Sequence, residues 1–390
     1  MRRLMEISAV MLTAVAGMLV MGHYPVLGRH AYAADVTKIH KQHHVRLKHP
    51  GLKTTEGVDC LLLETRDQTD LSQEYSLIVE SVFCADHLCK IVKVRIFLDE
   101  LGRYTRFNLE PGTELEKAEG KPFSATDYDQ LHCVLGDRNT TMWDLKYEEI
   151  AGYQDVVAQP DTDLDGMSGA TKLLDESKYV VGAAWTCYTL WHWVNGGIGP
   201  VIRGKTAEAS NRRELRAYLR DGSEAHKQFA LEQLIERDAY DAESLDAINQ
   251  LISVDDLTLQ KLLIKYAEHA TADRYFSMIE LFFSSENQKM RLRSLRSLLD
   301  SEHSPSANVY ANLAKQISRS VSYQEVALFV DLASSREKMS SPVISELVKL
   351  LESENLLIAR RVYWALCECA LSGTENAKLE AFRKRHSDIL

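Results

Sequence analysis

Asp165-Gly166-Met167-Ser168-Gly169-Ala170-Thr171 is where the character of this chain changes. Two glycines and three small or hydroxylic residues in seven positions read as a turn. Glycine reaches backbone conformations closed to other residues, and Asp, Ser and Thr hydrogen-bond local amides. Upstream, apolar residues alternate in strand fashion; downstream they recur at helical spacing. The turn thus stands between a strand-rich front and an apolar, aromatic helix.

Working upstream, residues 58–63 and 75–83 are β-prone runs. In residues 90–98, Val92, Val94, Ile96 and Leu98 fall at period two. Asp99-Glu100-Leu101-Gly102 supplies a turn and residues 103–109 the return strand, so a hairpin is expected. Residues 124–135 read as a helix, with Ser124 as N-cap and Asp127 three residues on.

Working downstream, residues 177–195 form a helix-like segment that is apolar almost all round and therefore buried. Gly196-Gly197 should end it, and Pro200 should prevent its continuation. Trp185, Tyr188 and His192 fall on one face, a stripe that is core packing first and a surface for a flat ligand second. From residue 206 onward helix formers dominate. Apolar groups recur, among them Ala230/Leu231/Leu234/Ile235, Leu259/Leu262/Leu263/Tyr266, Tyr275/Met278/Ile279/Phe282 and Val343/Ile344/Leu347/Leu351. Taken in pairs they give about four units of roughly 35 residues, which predicts an α-solenoid of stacked helical hairpins with an extended surface for a partner. Lys289, Arg291, Arg293 and Arg296 make a basic stripe there that reads as a solvated helix face.

The N-terminus reads as an export signal. Arg2 and Arg3 precede a short apolar run at residues 7–21, and Ala31-Tyr32-Ala33 has the A-x-A pattern of a cleavage site. The run is short for a membrane span and no second unbroken apolar stretch of about 18 residues follows. Cleavage after residue 33 and a periplasmic or extracytoplasmic product are expected; an uncleaved anchor is the alternative. These 33 residues hold three arginines and one glutamate, so cleavage takes the net charge of −10 to −12. That excludes the basic face a nucleic-acid binder needs. Seven cysteines in an oxidising compartment permit disulfides, with an odd thiol left over; Cys84 and Cys89 are near enough to pair. Residues 34–56 form a basic arm with His40, His43, His44 and His49. Metal handling there is a weak reading, because no cysteine or carboxylate is interleaved with the histidines.

Asp161-Thr162-Asp163-Leu164-Asp165-Gly166 imitates the first half of an EF-hand loop, but the position that needs a bidentate Glu is Lys172, which excludes calcium. The better match is another. The spacing Asp165-x-x-Ser168-Gly169-Ala170-Thr171, with the alternating strand, acidic Gly-containing turn and return strand upstream, resembles the FMN-binding domain family. That family includes the FMN-carrying subunits of sodium-translocating NADH:quinone reductases and of Rnf complexes. The resemblance covers roughly residues 89–195. It implies that the Thr171 hydroxyl is joined to the FMN phosphate through a phosphoester made by a flavin transferase, with Asp165 and Ser168 as recognition elements. The residue types suit that chemistry. Gly169 and Ala170 leave room for a phosphate to approach the backbone, and a following helix would offer it amide donors. Trp185 and Tyr188 are candidate neighbours of the isoalloxazine. Lys172-Leu173-Leu174 departs from the hydroxylic pair that often follows in the family, and the helical region is absent from the better-known members.

The expected architecture is an export segment (1–33), a basic histidine-rich arm (34–56), an α+β FMN-binding-type domain (57–200) and an all-α, HEAT-like solenoid (206–390). The expected function is electron transfer by a carrier rather than a stand-alone enzyme. Its partners would be a flavin transferase and a membrane or periplasmic redox protein. The alternative is a non-redox periplasmic scaffold whose solenoid binds a protein.

Overall fold

The computed structural model describes residues 38–52, 54, 56–67, 73–83, 90–147, 149–150, 176–319 and 322–387. The expected export segment, Cys84, Cys89 and the 165–171 turn lie outside the described residues.

Five strands form one antiparallel sheet in sequence order: β1 (Lys38–Leu47), β2 (Val58–Asp67), β3 (Gln73–Glu80), β4 (Lys93–Asp99) and β5 (Tyr104–Leu109). Period-two patterning decides its faces. Val94, Ile96 and Leu98 of β4 are fully buried. Register places Leu77 opposite Ile96, Tyr75 opposite Leu98 and Leu62 opposite Leu77, so they share one apolar face. The β4–β5 hairpin is present as expected. Asp99 closes its turn, its carboxylate accepting from the amides of Leu101 (2.9 Å) and Arg103 (2.8 Å).

The stretch read as a basic arm is instead largely strand β1, paired along its length with β2. Val45 and Leu47 turn to the core while His44 and Arg46 face outward. The same alternation disperses the histidines. His43 turns to the core side and meets Glu64 at 2.6 Å, whereas His40 bonds Thr65 across the neighbouring strand. Among the described residues no three potential metal ligands gather.

Two helices, α1 (Ala125–Gly136) and α2 (Ala184–Asn195), share the core on the sheet's apolar face. Ser124 and Asp127 form the expected reciprocal cap of α1. Helix α2 begins later than its apolar pattern suggests. Gly182 at φ +79° and a turn closed by Ala183 N–H to Val180 O at 2.9 Å precede it. Gly196 ends α2 as expected, but Pro200 does not stop the chain: α3 (Ile198–Ala209) starts immediately and takes Pro200 into its first turn. Amides in a first turn have no intrahelical acceptor, so proline costs nothing there.

Eleven further helices follow: α4 (Arg212–Asp221), α5 (Glu224–Glu236), α6 (Ala242–Asn249), α7 (Leu257–Glu268), α8 (Ala272–Phe283), α9 (Gln288–Asp300), α10 (Ala307–Ile317), α11 (Tyr323–Ser335), α12 (Ser341–Leu347), α13 (Leu356–Cys367) and α14 (Gly373–Arg385). Helices α5, α7, α9, α11 and α13 begin at 224, 257, 288, 323 and 356, a spacing of 31 to 35 residues, and each packs on the next in that series. They form one layer; α8, α10 and α12 stack in a second. Matching side chains bridge equivalent positions. Lys289 pairs with Asp255 at 2.9 Å, and Arg291 with the buried Glu325 at 2.9 Å. Arg293 donates to Gln260 at 3.2 Å. The stripe read as a solvated face is thus mostly used between successive helices. Arg237 and Arg336 repeat one device. Each follows the last residue of its helix, precedes a residue of positive φ (Asp238, Glu337), and donates to carbonyls at the end of an earlier helix. The helical core runs unbroken from Leu215 to Phe382. Among the described residues no helix is long and apolar enough to cross a membrane.

The sheet and the helices meet at the β4–β5 turn. Leu101 leaves its own domain and buries in the helical core. Gly102, at φ +71°, lies so close to Gly199 that a Cβ there would sit 2.6 Å from the Gly199 Cα. Thr206 of α3 donates to the Glu100 carbonyl at 2.6 Å, and the Glu100 carboxylate meets His226 of α5 at 2.6 Å. Arg66 of β2 pairs with Glu214 of α4.

Candidate functional site

The described residues nearest in sequence to the 165–171 turn are Ile150 before it and the short turn Glu176–Lys178 after it. Asp165, Ser168, Gly169, Ala170 and Thr171 lie outside the described residues. What can be built is the wall that α2 presents. Its apolar composition buries it on nearly all sides, and three polar anchors fix its rotation. Trp191 Nε1 donates to the Asp137 carbonyl at 2.8 Å, the Tyr188 hydroxyl to the Leu145 carbonyl at 3.0 Å, and Asn195 Nδ2 to the Leu135 carbonyl at 3.0 Å. Cys187 points into the core, where burial pushes its thiol up to about 12; it is no nucleophile at neutral pH.

The two aromatic residues singled out from sequence come together with a third. Tyr147 lies 5.0 Å from Trp185 and 5.9 Å from Tyr188, centroid to centroid. Trp185 is partly exposed, whereas Tyr188 is fully buried. The third member of the expected stripe, His192, packs on Tyr188 at 4.3 Å and edge-on to Trp191 at 5.0 Å.

His49 completes the wall from 140 residues away. Its Nδ1 accepts the Gly51 amide at 3.0 Å, so Nε2 carries the proton and donates to the Thr189 carbonyl at 2.9 Å. Its ring packs against Phe83 (4.8 Å) and Trp193 (4.7 Å), which also meet each other at 6.1 Å, and lies 5.7 Å from His192. Burial lowers His49 to about 4, against the lift of its bond to Thr189. Burial, then the charge His49 would carry, lowers His192 to about 4 as well. Both imidazoles are neutral at physiological pH.

Among the described residues, five buried polar atoms on this helix have no hydrogen-bond partner: Trp185 Nε1, Thr189 Oγ1, His192 Nε2, Trp193 Nε1 and Asn195 Oδ1. A buried polar group left unpaired costs about 1–3 kcal/mol, so several on one helix stand out against the usual pairing of buried polar groups. Donors and an acceptor beside flat aromatic rings fit a planar heterocycle such as isoalloxazine. Thr189 and Trp193 had no assigned role in the sequence reading, and His49 was read only as part of the histidine-rich arm. The available signal was a threonine and a histidine set three apart in an otherwise apolar helix.

Two open recesses lie elsewhere. One of about 530 Å³ is lined by Arg213, Arg216 and Arg220 of α4 facing Glu243 and Asp246 of α6; one of about 320 Å³ lies beside Cys133, Asp137 and Lys178. Some of their charges are paired within the chain, Arg216 to Asp241 and Glu243 and Lys178 to Asp137. No protein-family model, curated protein or solved structure matches this chain.

Proposed function

We propose that the chain is an extracytoplasmic electron carrier bearing FMN, phosphoester-linked to Thr171, on an FMN-binding-type domain. Its HEAT-like solenoid would dock a redox partner. The observation that carries this reading is the Asp165–Thr171 motif in a chain whose next helix, α2, sets unpartnered polar atoms among aromatic rings. Bound FMN would supply one- or two-electron redox chemistry; the protein's part is placement and electrostatics. Trp185 and Tyr147 offer ring surface. His192 offers a neutral, unpartnered ring nitrogen, and the neutral His49–His192 pair adds no positive charge beside the ring.

The helical repeat supports the docking half of the proposal. Leu257, Tyr323 and Leu356, the first residues of α7, α11 and α13, are exposed at equivalent positions. This row, interrupted by the exposed polar Gln288 of α9, offers apolar side chains of the kind a protein partner buries. The same row favours the second reading, a non-redox scaffold.

The deciding experiment is intact mass of the mature protein co-expressed with a flavin transferase, alongside Thr171→Ala. A gain of one FMN less water that survives denaturation and is absent from the variant supports the carrier. No gain, while a control substrate is modified, leaves the scaffold.

A further inference from the structure

The sheet has a second face. On β2, β3 and β4 the positions that alternate with the core residues include Leu61, Leu63, Ile78 and Phe97, none of which belongs to the core shared with α1 and α2. A sheet face turned to water is ordinarily polar. Here Leu61 and Ile78 are 48% and 47% exposed. Register sets them side by side: Leu62 pairs with Leu77, so Leu61 and Ile78 follow as the next neighbours. In the adjoining row, Ser76 stands opposite both Leu63 and Phe97. That row is sunk. Ser76 and Phe97 are 4% and 7% exposed, and the Arg106 guanidinium lies over the Phe97 ring at 3.4 Å, tied by Glu74 at 2.9 Å. The face therefore carries a raised apolar row beside a recessed one.

Its charges are balanced rather than of one sign. Arg46 pairs with Asp59, Arg106 with Glu74, and Glu80 stands opposite Lys93. Arg95, between Ile78 and Asn108, has no acidic residue opposite it in register.

We propose that this face binds the same face of a second copy of the chain, in a two-fold, sheet-on-sheet dimer. Sheets packed in this way lie about 10 Å apart with their side chains interdigitated. A two-fold axis in the interface, running between the two rows and parallel to them, sets the raised row of each copy over the recessed row of the other. Leu61 and Ile78 of both copies then leave water together. A rim with both signs in nearly equal number supplies no field to draw a strongly acidic or basic partner or an anionic lipid surface, and it does not repel its own copy. Relief and charge both fit self-association. Helices α1 and α2 cover the opposite face of the sheet, so the dimer leaves the wall built by α2 free, and the inference stands apart from the carrier reading.

Sedimentation velocity of the mature protein from about 5 to 200 µM should show a mass that rises from one chain to two. The double variant Leu61→Lys with Ile78→Lys changes side chains that are already half exposed in the single chain, so it should fold, as near-UV circular dichroism would confirm. In the dimer its ammonium groups would be buried without partners, and association should weaken more than about tenfold. Leu357→Ala with Trp364→Ala, at exposed apolar positions of the helical region, should dimerise as wild type does. Wild type that stays a single chain throughout overturns the proposal and leaves the face to a different protein or to lipid. A dimer that persists in the lysine variant, or that is lost in the helical-region variant, overturns it as well.

Discussion

Lowering the pH from 7.5 to 5.0 should weaken the sheet domain through two side chains, His49 and His192. Each has a folded-state pKa of about 4 against an ordinary value of 6.5. The unfolded chain therefore binds protons that the folded chain refuses between those values. Their stabilising contribution is complete above pH 6.5, falls as pH drops through that window, and levels off below about 4. At pH 5.0 the loss is about 2 kcal/mol for each histidine, or about 4 kcal/mol for both. Solvent screening does not shrink the figure much, since the residues are 3% and 6% exposed. Urea unfolding followed by tryptophan fluorescence is the assay. Four of the five tryptophans, 143, 185, 191 and 193, belong to this domain, and three of them sit on α2 beside the pair. In His49→Gln the loss between pH 7.5 and 5.0 should fall by about 2 kcal/mol, whatever the neutral-pH cost of the substitution. Carboxylates elsewhere titrate alike in both proteins and cancel in the difference. An unchanged loss in His49→Gln would refute the reasoning, because it would mean the buried imidazole already takes up its proton in the folded chain.

The junction gives three further expectations. Leu101→Ala should cost about 2–4 kcal/mol and bring early proteolytic cleavage between sheet and helices, since Leu101 is the hairpin residue buried in the helical core. Gly102→Ala combines a left-handed backbone with a Cβ 2.6 Å from Gly199, and should cost at least about 1–3 kcal/mol in thermal unfolding, whereas Gly112→Ala, also at positive φ but in open space, costs only the backbone strain. Glu100 is held below the usual carboxylate range; burial opposes this, but His226 and neighbouring bonds outweigh it. Its contribution is present above about pH 4.5 and lost as pH falls below that, so Glu100→Gln should flatten the acid limb of the stability profile. In the repeats, Arg336→Ala should destabilise by about 1–3 kcal/mol in chemical denaturation, through the carbonyls of Leu299 and Ser301 that it leaves bare.

Where a local rule acts alone, the sequence was readable. The alternation of Val94, Ile96 and Leu98, the Asp99–Gly102 turn and the Ser124 cap need only neighbours a few residues away, and each stands as expected. Long-range pairing was harder. The segment 38–47 carries so much Lys and His that it reads as solvated, yet its alternation suffices once β2 provides a partner. Helix α4 has only Leu215 and Leu219 buried among ten mostly charged residues, so periodicity could not raise it; its role is to close the sheet onto the helices through Glu214. Helix α11 was not among the groups read from the sequence, although Val326, Phe329, Val330 and Ala333 hold helical spacing; its buried Glu325 pairs with Arg291 of α9 in the same layer, a contact no linear pattern announces. The site was least legible. Nothing in a linear reading connects His49 with Thr189, because that contact depends on how β1 delivers its end to α2.

Rigidity at the junction bears on what a carrier of this design could do. A cofactor held near α2 passes electrons to a partner docked on the helices only if the two regions keep a fixed relation. Here the β4–β5 loop ties the two regions, with Leu101 providing apolar anchorage, Gly102 close approach and Glu100 polar contacts to both α3 and α5, and the Arg66–Glu214 pair adds a second tie. Helix α3 then runs on from α2 with only Gly196 and Gly197 between them, so the helix that would hold the ring is directly linked to the one that meets the junction. Thr206 of α3 in turn bonds the hairpin tip seated in the helical core. Loosening the tip with Leu101→Ala should therefore slow electron exchange with a docked partner while leaving flavin attachment and the fluorescence of the bound ring as in wild type. Equal exchange rates in the two proteins would show that the junction serves stability alone.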